Sequence, residues 1–322
     1  MTAARLAAIA IAALLPLAAL SQSDYPTRTV TMVVPFPPGG VADITGRPLA
    51  EALTRILKQA VVVENRAGAG GGVGMQYVTR AKPDGYTILM ALSSISIIPE
   101  ADKVLGRDPM FQLNQLVPIA RFTADPTVLA VRAESPYKSV ADLIAAAKKN
   151  PGGIPYGSSG NYGTMHVPME MLDAAAGVKM LHVPFTGAGP AIVALLGGQV
   201  DAISTGPSTI LGHVKAGKLR VLATWGDARI ASLPDVPTLK ELGYDAQFSQ
   251  WTGLFVPAGT PDAVVAKLRE ASKAAVHDPT FQSALSKVDT PIQYLDQPQF
   301  RAFWDQDATK LADVVKKIGK VE

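Results

Sequence analysis

VVPFPPGGVAD, residues 33–43, is the stretch on which the fold turns. A β-branched run that begins at Val30 stops at Pro35, Pro37 and Pro38 and crosses Gly39 and Gly40. Apolar residues then recur at helical spacing from Ile44 to Leu57. This is a strand, a turn of nearly bare backbone and a helix. Gly46 and Pro48 are poor interior residues, so the helix is expected to start late or to kink there. Outward from this unit, Val61–Val63 reads as a short buried strand. Val73–Arg80 reads as a helix ended by the turn Pro83-Asp84-Gly85, and Tyr86–Leu92 as a third strand. A βαβαβ order implies parallel strands with helices on both faces.

The theme resumes after Asp125-Pro126. Thr127–Val131 is a strand. Ser139 and Asp142 form a capping box that opens a helix over Val140–Lys149. Strands at Ile154–Gly157, Lys179–Val183, Val200–Ser204 and Leu219–Thr224 alternate with helices at Met165–Ala176, Pro190–Leu196 and Ser208–Ala216. Pro190 suits a first helical position, and Gly217 a helix C-terminus. The tail is helical, with one helix starting at Thr260-Pro261-Asp262 and the last at Pro298. Val34-Pro35-Phe36 with Gly39-Gly40 is echoed by Val183-Pro184-Phe185 with Gly187 and Gly189, which suggests two similar α/β lobes with matching loops. Trp251 and Phe255 are expected to pack between the lobes.

The composition bounds the class. The chain has 322 residues, 48% hydrophobic and 18% charged, with a formal charge of +3 and no cysteine. Disulfides, thiol catalysis and cysteine-ligated zinc are excluded. No run of Lys or Arg exceeds two, so nucleic acid is not an expected partner. Residues 1–21 read as a signal peptide: Arg5 precedes an apolar run from Leu6 to Leu20, too short for a span, and Ala19 and Ser21 permit cleavage near Ser21–Gln22. An exported chain without cysteine suits the periplasm.

In open parallel α/β sheets, ligands bind beyond the carboxyl ends of the strands. The segments that belong there are Pro35–Gly40, Ser93-Ser94, Ser158–Thr164, Pro184–Gly189 and Ser204–Ser208. None carries Lys, Arg, Asp or Glu, whereas the opposite turns carry Lys82, Asp84, Lys148, Lys149, Lys179, Lys215 and Lys218. The ligand-binding candidates are therefore Phe36, Pro37, Pro38, Gly39 and Gly40; Ser93 and Ser94; Ser158, Ser159, Gly160, Asn161 and Thr164; Thr186, Gly187 and Ala188; and Thr205 with Gly206. Glycine lets a ligand approach the main chain, and free helix N–H groups favour an anion. Several such donors, each worth about 1.5–3 kcal/mol to a charged group, reach the roughly 8 kcal/mol of micromolar binding without an arginine. Valine at Gly39 or Gly40 is expected to abolish binding and spare the fold. Asp43, the one acid beside the first loop, is a helix cap or a ligand contact.

Other motifs fit less well. Gly212–Lys218 opens like a P-loop, but Leu219 stands where Ser or Thr is required. Gly68–Gly74 never satisfies G-x-G-x-x-G, and either lines the cleft mouth or permits close packing. His166, His182, His213 and His277 lack metal-ligand spacing, so no metal or cofactor is expected. Ser158 or Ser159 with His166 would be the pair of a secreted hydrolase, but Gly157-Ser158-Ser159-Gly160 is not a nucleophile elbow. His166 otherwise caps or packs near its helix start, with a modest part in binding.

YPTRTVTMVVPFPPGGVADITGR, VVVENRAGAGGGVG, KPDGYTILM, SSGNYGTMHV, HVPFTGAGPAIVALLGGQVD, HVKAGKLRVLA, LPDVPT and GLFVPAGTP occur in this order from about Tyr25 to near the C-terminus. In this combination the chain resembles the solute-binding receptors of tripartite tricarboxylate transporters, the Bug-type periplasmic proteins. The resemblance implies a non-enzymatic, two-lobed receptor that closes like a flytrap. Each lobe would be a mostly parallel sheet flanked by helices. Residues 22–124 would begin lobe 1, 125–248 form lobe 2, and 249–322 return to lobe 1. Pro35–Gly40 and Ser158–Thr164 would pinch a ligand carboxylate through main chain and ordered water, with Pro184–Gly189 and Ser204–Gly206 shaping the rest. The implied partners are a small carboxylate and the large and small inner-membrane transporter subunits, or a signalling protein if the role is sensing. The receptor itself is expected to be a monomer.

Overall fold

The computed structural model describes residues 25–321, so the signal-peptide expectation at residues 1–21 lies outside the described residues. β1 (Val30–Val34) leads through the proline–glycine turn into α1 (Val41–Leu57). The helix begins before Ile44 and runs unbroken through Gly46 and Pro48. Gly46 earns its place by closeness: a Cβ there would lie 3.3 Å from Val34 Cγ2 and 3.5 Å from Met90 Cγ. There follow β2 (Val61–Asn65), a 3₁₀ turn at Ala69–Gly71, α2 (Gly72–Thr79), β3 (Thr87–Leu92) and α3 (Ser94–Val104). β4 (Leu116–Pro126) then carries the chain out of this half, and β5 (Val128–Arg132) starts the next.

The second half runs through α4 (Val140–Lys149), β6 (Pro155–Ser158), α5 (Val167–Ala176), β7 (Leu181–Pro184), α6 (Ala188–Leu196), β8 (Ala202–Thr205), α7 (Leu211–Lys215) and β9 (Leu219–Thr224). The capping box of α4 is present, with Asp142 N donating to Ser139 Oγ at 3.2 Å and Ser139 N to Asp142 Oδ2 at 2.9 Å. Pro190 sits at the third helical position rather than the first, where its missing N–H still breaks no intrahelical bond. β10 (Ser249–Pro257) returns the chain, followed by α8 (Asp262–Ala275), α9 (Pro279–Lys287), β11 (Leu295–Asp296) and α10 (Gln297–Ile318).

Two sheets result, ordered β11-β4-β10-β3-β1-β2 and β7-β6-β8-β5-β9. The two-lobed α/β architecture is the one expected, but the sheets are mixed rather than mostly parallel. β1 pairs parallel with β2 and β3, and β6 with β7 and β8, whereas β10 runs antiparallel to β3 and β4, and β5 to β8 and β9. The antiparallel members are the strands that connect the halves. Pro118 inside β4 donates no ladder bond, and it lies opposite Phe255 at a register shift in β10, where an unpaired position is tolerated. Gly253 leaves room for the Phe300 ring, whose Cε1 would be 2.8 Å from a Cβ there. Trp251 and Phe255 are buried against Phe300 and Trp304 of α10, so they build the first half instead of the space between halves.

From one edge inward the sheets read β2-β1-β3-β10-β4 and β7-β6-β8-β5-β9, with the same sequence of parallel and antiparallel pairings. β6 is therefore the counterpart of β1, and β7 that of β2. The echoed Val-Pro-Phe loops follow β1 and β7, which are not equivalent strands, so their likeness is shared turn chemistry rather than matched position. Three chain segments tie the halves together among the described residues. Two lie side by side, where β4 enters β5 and where Phe248 N donates to Trp225 O at 3.1 Å just before β10; Trp225 N in turn donates to Thr127 O at 3.0 Å. The third is the chain end: Tyr162 Oη, in the loop after β6, donates to Gly319 O at 2.7 Å and accepts from Val321 N at 3.1 Å.

Candidate functional site

Three side chains fix the turn after β1. Asp43 Oδ2 accepts from Gly39 N and from Arg47 Nε, both at 3.0 Å. Asn65, at the end of β2, donates from Nδ2 to Phe36 O at 2.9 Å and to Asp43 Oδ1 at 3.0 Å, and accepts from Arg47 Nη2 at 2.9 Å. Burial pushes the Asp43 carboxyl up, but the donors Arg47, Asn65 and Gly39 together hold it below the ordinary carboxylate value. Gly39 has φ +85°, a left-handed conformation that favours glycine. Both Asp43 oxygens thus serve the loop, and its observed place is that of a loop anchor. Arg47 and Asn65 complete that anchor, and neither was singled out from the sequence.

The anchored turn faces the second half closely. A Cβ on Gly187 would lie 2.5 Å from Pro37 Cγ, one on Gly189 3.1 Å from Pro38 O, and one on Gly40 3.6 Å from Ala188 Cβ. A Cβ on Gly206 would lie 2.5 Å from Val41 Cγ2 and 2.9 Å from Gln250 Oε1. Further along, Gly70 packs on the main chain of Gly160 and Asn161. Segments Pro35–Gly40, Ser158–Thr164, Pro184–Gly189 and Ser204–Ser208 thus each touch the opposite half. Gly68–Gly74 serves both roles considered for it: it lines this contact, and Gly74 lets Pro35 and the Arg66 carbonyl approach.

Helix starts point into the same place. The first N–H groups of a helix have no intrahelical acceptor. In α1 the Asp43 and Ile44 amides return to Gly40 O, which leaves those of Val41 and Ala42 at the crevice. α3 begins at Ser94 and α6 at Ala188, both beyond carboxyl ends of strands. Ser93 Oγ, Ser94 Oγ, Ser159 Oγ, Ser204 Oγ and Gln250 Oε1 are buried at these strand ends and have no partner among the described residues. A buried polar atom left without a partner costs about 1–3 kcal/mol. Such atoms call for a polar partner, from water or from a ligand. Gln250 was missed in the sequence; it lies on β10, and its Nε2 donates to Thr164 Oγ1 at 2.6 Å.

Other candidates are placed differently. Thr205 Oγ1 is paired with Thr209 Oγ1 at 2.9 Å, inside its own loop. Asn161 and Thr186 are exposed and line a cavity of about 620 Å³ beside the crevice, with Phe185 and Tyr162 from the same half and Ile98 and Met110 from the other. His166 is fully buried behind the loop. Its Nδ1 accepts from Tyr162 N at 2.9 Å, its Nε2 faces Glu170 Oε1 at 3.4 Å, and its ring lies 4.0 Å from that of His182. Both ring nitrogens face protein, so His166 shapes the loop from behind.

The serine–histidine pair that forms is Ser158 with His182, at 2.6 Å, not with His166. Ser158 Oγ also accepts from Gly160 N at 3.1 Å. Burial, and then the neighbouring His166, push the His182 imidazole down to about 3. A base that weak is mismatched to proton abstraction near neutral pH. Among the described residues no group of His, Cys, Asp and Glu is arranged to hold a metal, and no helix is long and apolar enough to cross a membrane.

Residues 45–320 match the model of the tripartite tricarboxylate transporter family receptor. The "UPF0065 protein in gbd 5'region" of Cupriavidus necator is 37% identical over 314 residues, covering 97% of this chain and 94% of that protein. The structure of the periplasmic binding protein BugD superposes with a TM-score of 0.86 at 34% identity, over 92% of this chain and 99% of that one. MatC from Rhodopseudomonas palustris, solved with bound malate, superposes with a TM-score of 0.84 at 28% identity, over 90% and 100%. A β1 turn pinned by Asp43, Arg47 and Asn65 thus stands in a chain that belongs to the tripartite tricarboxylate transporter receptors, a family of solute-binding proteins and not of enzymes.

Proposed function

We propose that this receptor captures a small organic acid by one carboxylate, held between the two halves of the chain. The carboxylate sits against the Phe36–Gly40 turn and the first amides of α1. Ser93 and Ser94 with the start of α3 close one side, and Ser159, Gly160 and Ser204 the other. Gly187, Ala188 and Gly206 form the facing wall. Main-chain N–H groups and hydroxyls supply the donors, directly or through water. No cationic side chain takes part at this end, because Arg47 is committed to Asp43 and Asn65. The observation that carries the reading is the set of unpartnered strand-end atoms Ser93 Oγ, Ser94 Oγ, Ser159 Oγ, Ser204 Oγ and Gln250 Oε1. The malate in MatC supports it by analogy of fold and family.

Export with cleavage near Ser21–Gln22, and delivery of the acid to membrane transporter subunits, follow from the family and the leader-like residues. Titration calorimetry of ligand-stripped protein against a panel of mono-, di- and tricarboxylates tests the binding. At least one acid should bind with micromolar affinity or better, and uniform failure of the panel would remove the proposal. N-terminal sequencing of the exported protein checks the cleavage site.

A further inference from the structure

We infer that Arg107 reads a second acidic group at the far end of the ligand, and that this residue separates diacids from monoacids. The inference rests on the proposed carboxylate site. The cavity of about 620 Å³ adjoins that site, because Gly160 borders both, and the cavity residues Asn161 and Thr186 are the chain neighbours of Gly160 and Gly187. Its walls are mainly apolar, with Ile98 and Met110 from one half and Phe185 and Pro190 from the other. Among the described residues, Arg107 and Asp102 are the charged ones that line it.

Asp102 is fully buried at the end of α3, where it ties down the segment that follows. Its Oδ1 accepts from Arg107 Nε and its Oδ2 from Met110 N, both at 2.8 Å, and its carbonyl accepts from Arg107 N at 3.0 Å. The guanidinium is therefore gripped along its Nε edge. Nη1 and Nη2 have no partner among the described residues, and the side chain is 59% exposed. An arginine has five N–H donors in a rigid fork. With one committed to Asp102, the outer edge can meet a carboxylate through two parallel bonds. The buried anion behind it also keeps the side chain from swinging away, so little rotamer freedom is lost when an acid binds. A ligand whose first carboxylate is held by the loops and whose short apolar body lies along Ile98, Met110 and Phe185 would present its other end here. A monoacid, or a diacid with its remote end esterified, would leave that edge to water.

Calorimetry with the α,ω-dicarboxylates from succinate to suberate, each beside its monomethyl ester, tests this on the wild-type protein without any substitution. The best diacid should bind about three- to tenfold more tightly than its half-ester, the range between an exposed ion pair and a single charge-assisted hydrogen bond. Arg107→Gln should remove that difference by weakening the diacid and leaving the half-ester unchanged, and Arg107→Lys should restore part of it. Equal binding of diacid and half-ester by the wild-type protein, or an equal loss of both in Arg107→Gln, overturns the inference while the carboxylate site stands. Failure of every acid and ester to bind refutes both together. Because Arg107→Gln unpairs Asp102, a melting curve accompanies it. If that variant is unfolded, the wild-type comparison and Arg107→Lys decide.

Discussion

A single methyl group at Gly187 interrogates closure. Gly187 has φ 173°, an extended conformation open to any residue, so alanine strains no backbone there. The atoms nearest its added Cβ all belong to Pro37, on the opposite half. The distance to Pro37 Cγ would be 2.5 Å, whereas carbon pairs rest at about 3.5–4.0 Å, so the halves must part by about 1 Å or the prolyl ring must move. That ring is stiffened by Pro38 and by the anchored Phe36 carbonyl. Overpacking of this kind costs about 1–3 kcal/mol, which weakens binding about 5- to 150-fold if the closed form alone holds ligand. Calorimetry should show that loss, and the ligand-induced rise in melting temperature should shrink with it. The unliganded melting temperature should stay within a degree or two. Binding within twofold of wild type would show that the Pro37–Gly187 contact is no part of the ligand-holding state. A large drop in unliganded stability would show that Gly187 acts within its own half.

Further outcomes follow from other contacts. Asp43→Ala removes the acceptor of Gly39 N, Arg47 and Asn65, so binding should weaken at least tenfold and the unliganded melting temperature should fall by several degrees. Because the Asp43 carboxyl is held below its ordinary value, its stabilisation is full above about pH 4 and lost as pH falls through the depressed value; acid unfolding of Asp43→Asn should lack that component. Asp125 is the opposite case: burial beside the crossing of β4 into β5 pushes its carboxyl up to about 7. The folded state then binds the extra proton between about pH 4 and pH 7, so stability falls as pH rises through that window. Asp125→Asn should raise the urea midpoint at pH 8 relative to wild type and leave it similar at pH 4. Tyr162→Phe deletes both bonds to the chain end, and hydrogen exchange at Gly319 and Val321 should speed up while the amides of β1 and β3 stay protected.

Local rules made much of the fold legible. Val30–Val34, Leu219–Thr224 and the capped helix Val140–Lys149 lie where their patterns place them, because short buried strands and a Ser–Asp box are set by neighbours in sequence. β4 and β10 were not legible. LVPIARFTADP carries a proline and an arginine inside a strand, and only the register shift in β10 makes them acceptable. α3 was hidden by Pro99. The site divides the same way. The charge-free strand-end loops and Asp43 stood out, but the two residues that complete the anchor with Asp43 did not. Arg47 and Asn65 lie in separate family motifs, one ending in ADITGR and the other reading VVVENR, and only the fold brings them to Asp43. Gly39 and Gly40 looked interchangeable. The first is constrained by its own backbone angle and the second by Ala188 across the crevice, so valine at Gly39 should also disturb the unliganded turn.

The clasp between Tyr162 and the chain end matters to anyone who builds with this molecule. A fluorescent protein or purification handle joined after residue 322 would hang close to the loop after β6, which we propose borders the ligand, through the bonds of Tyr162 to Gly319 and Val321. One joined ahead of Tyr25 would leave that loop alone. Sensors engineered from this scaffold should therefore carry their reporter at the front, where no bond to Tyr162 is disturbed.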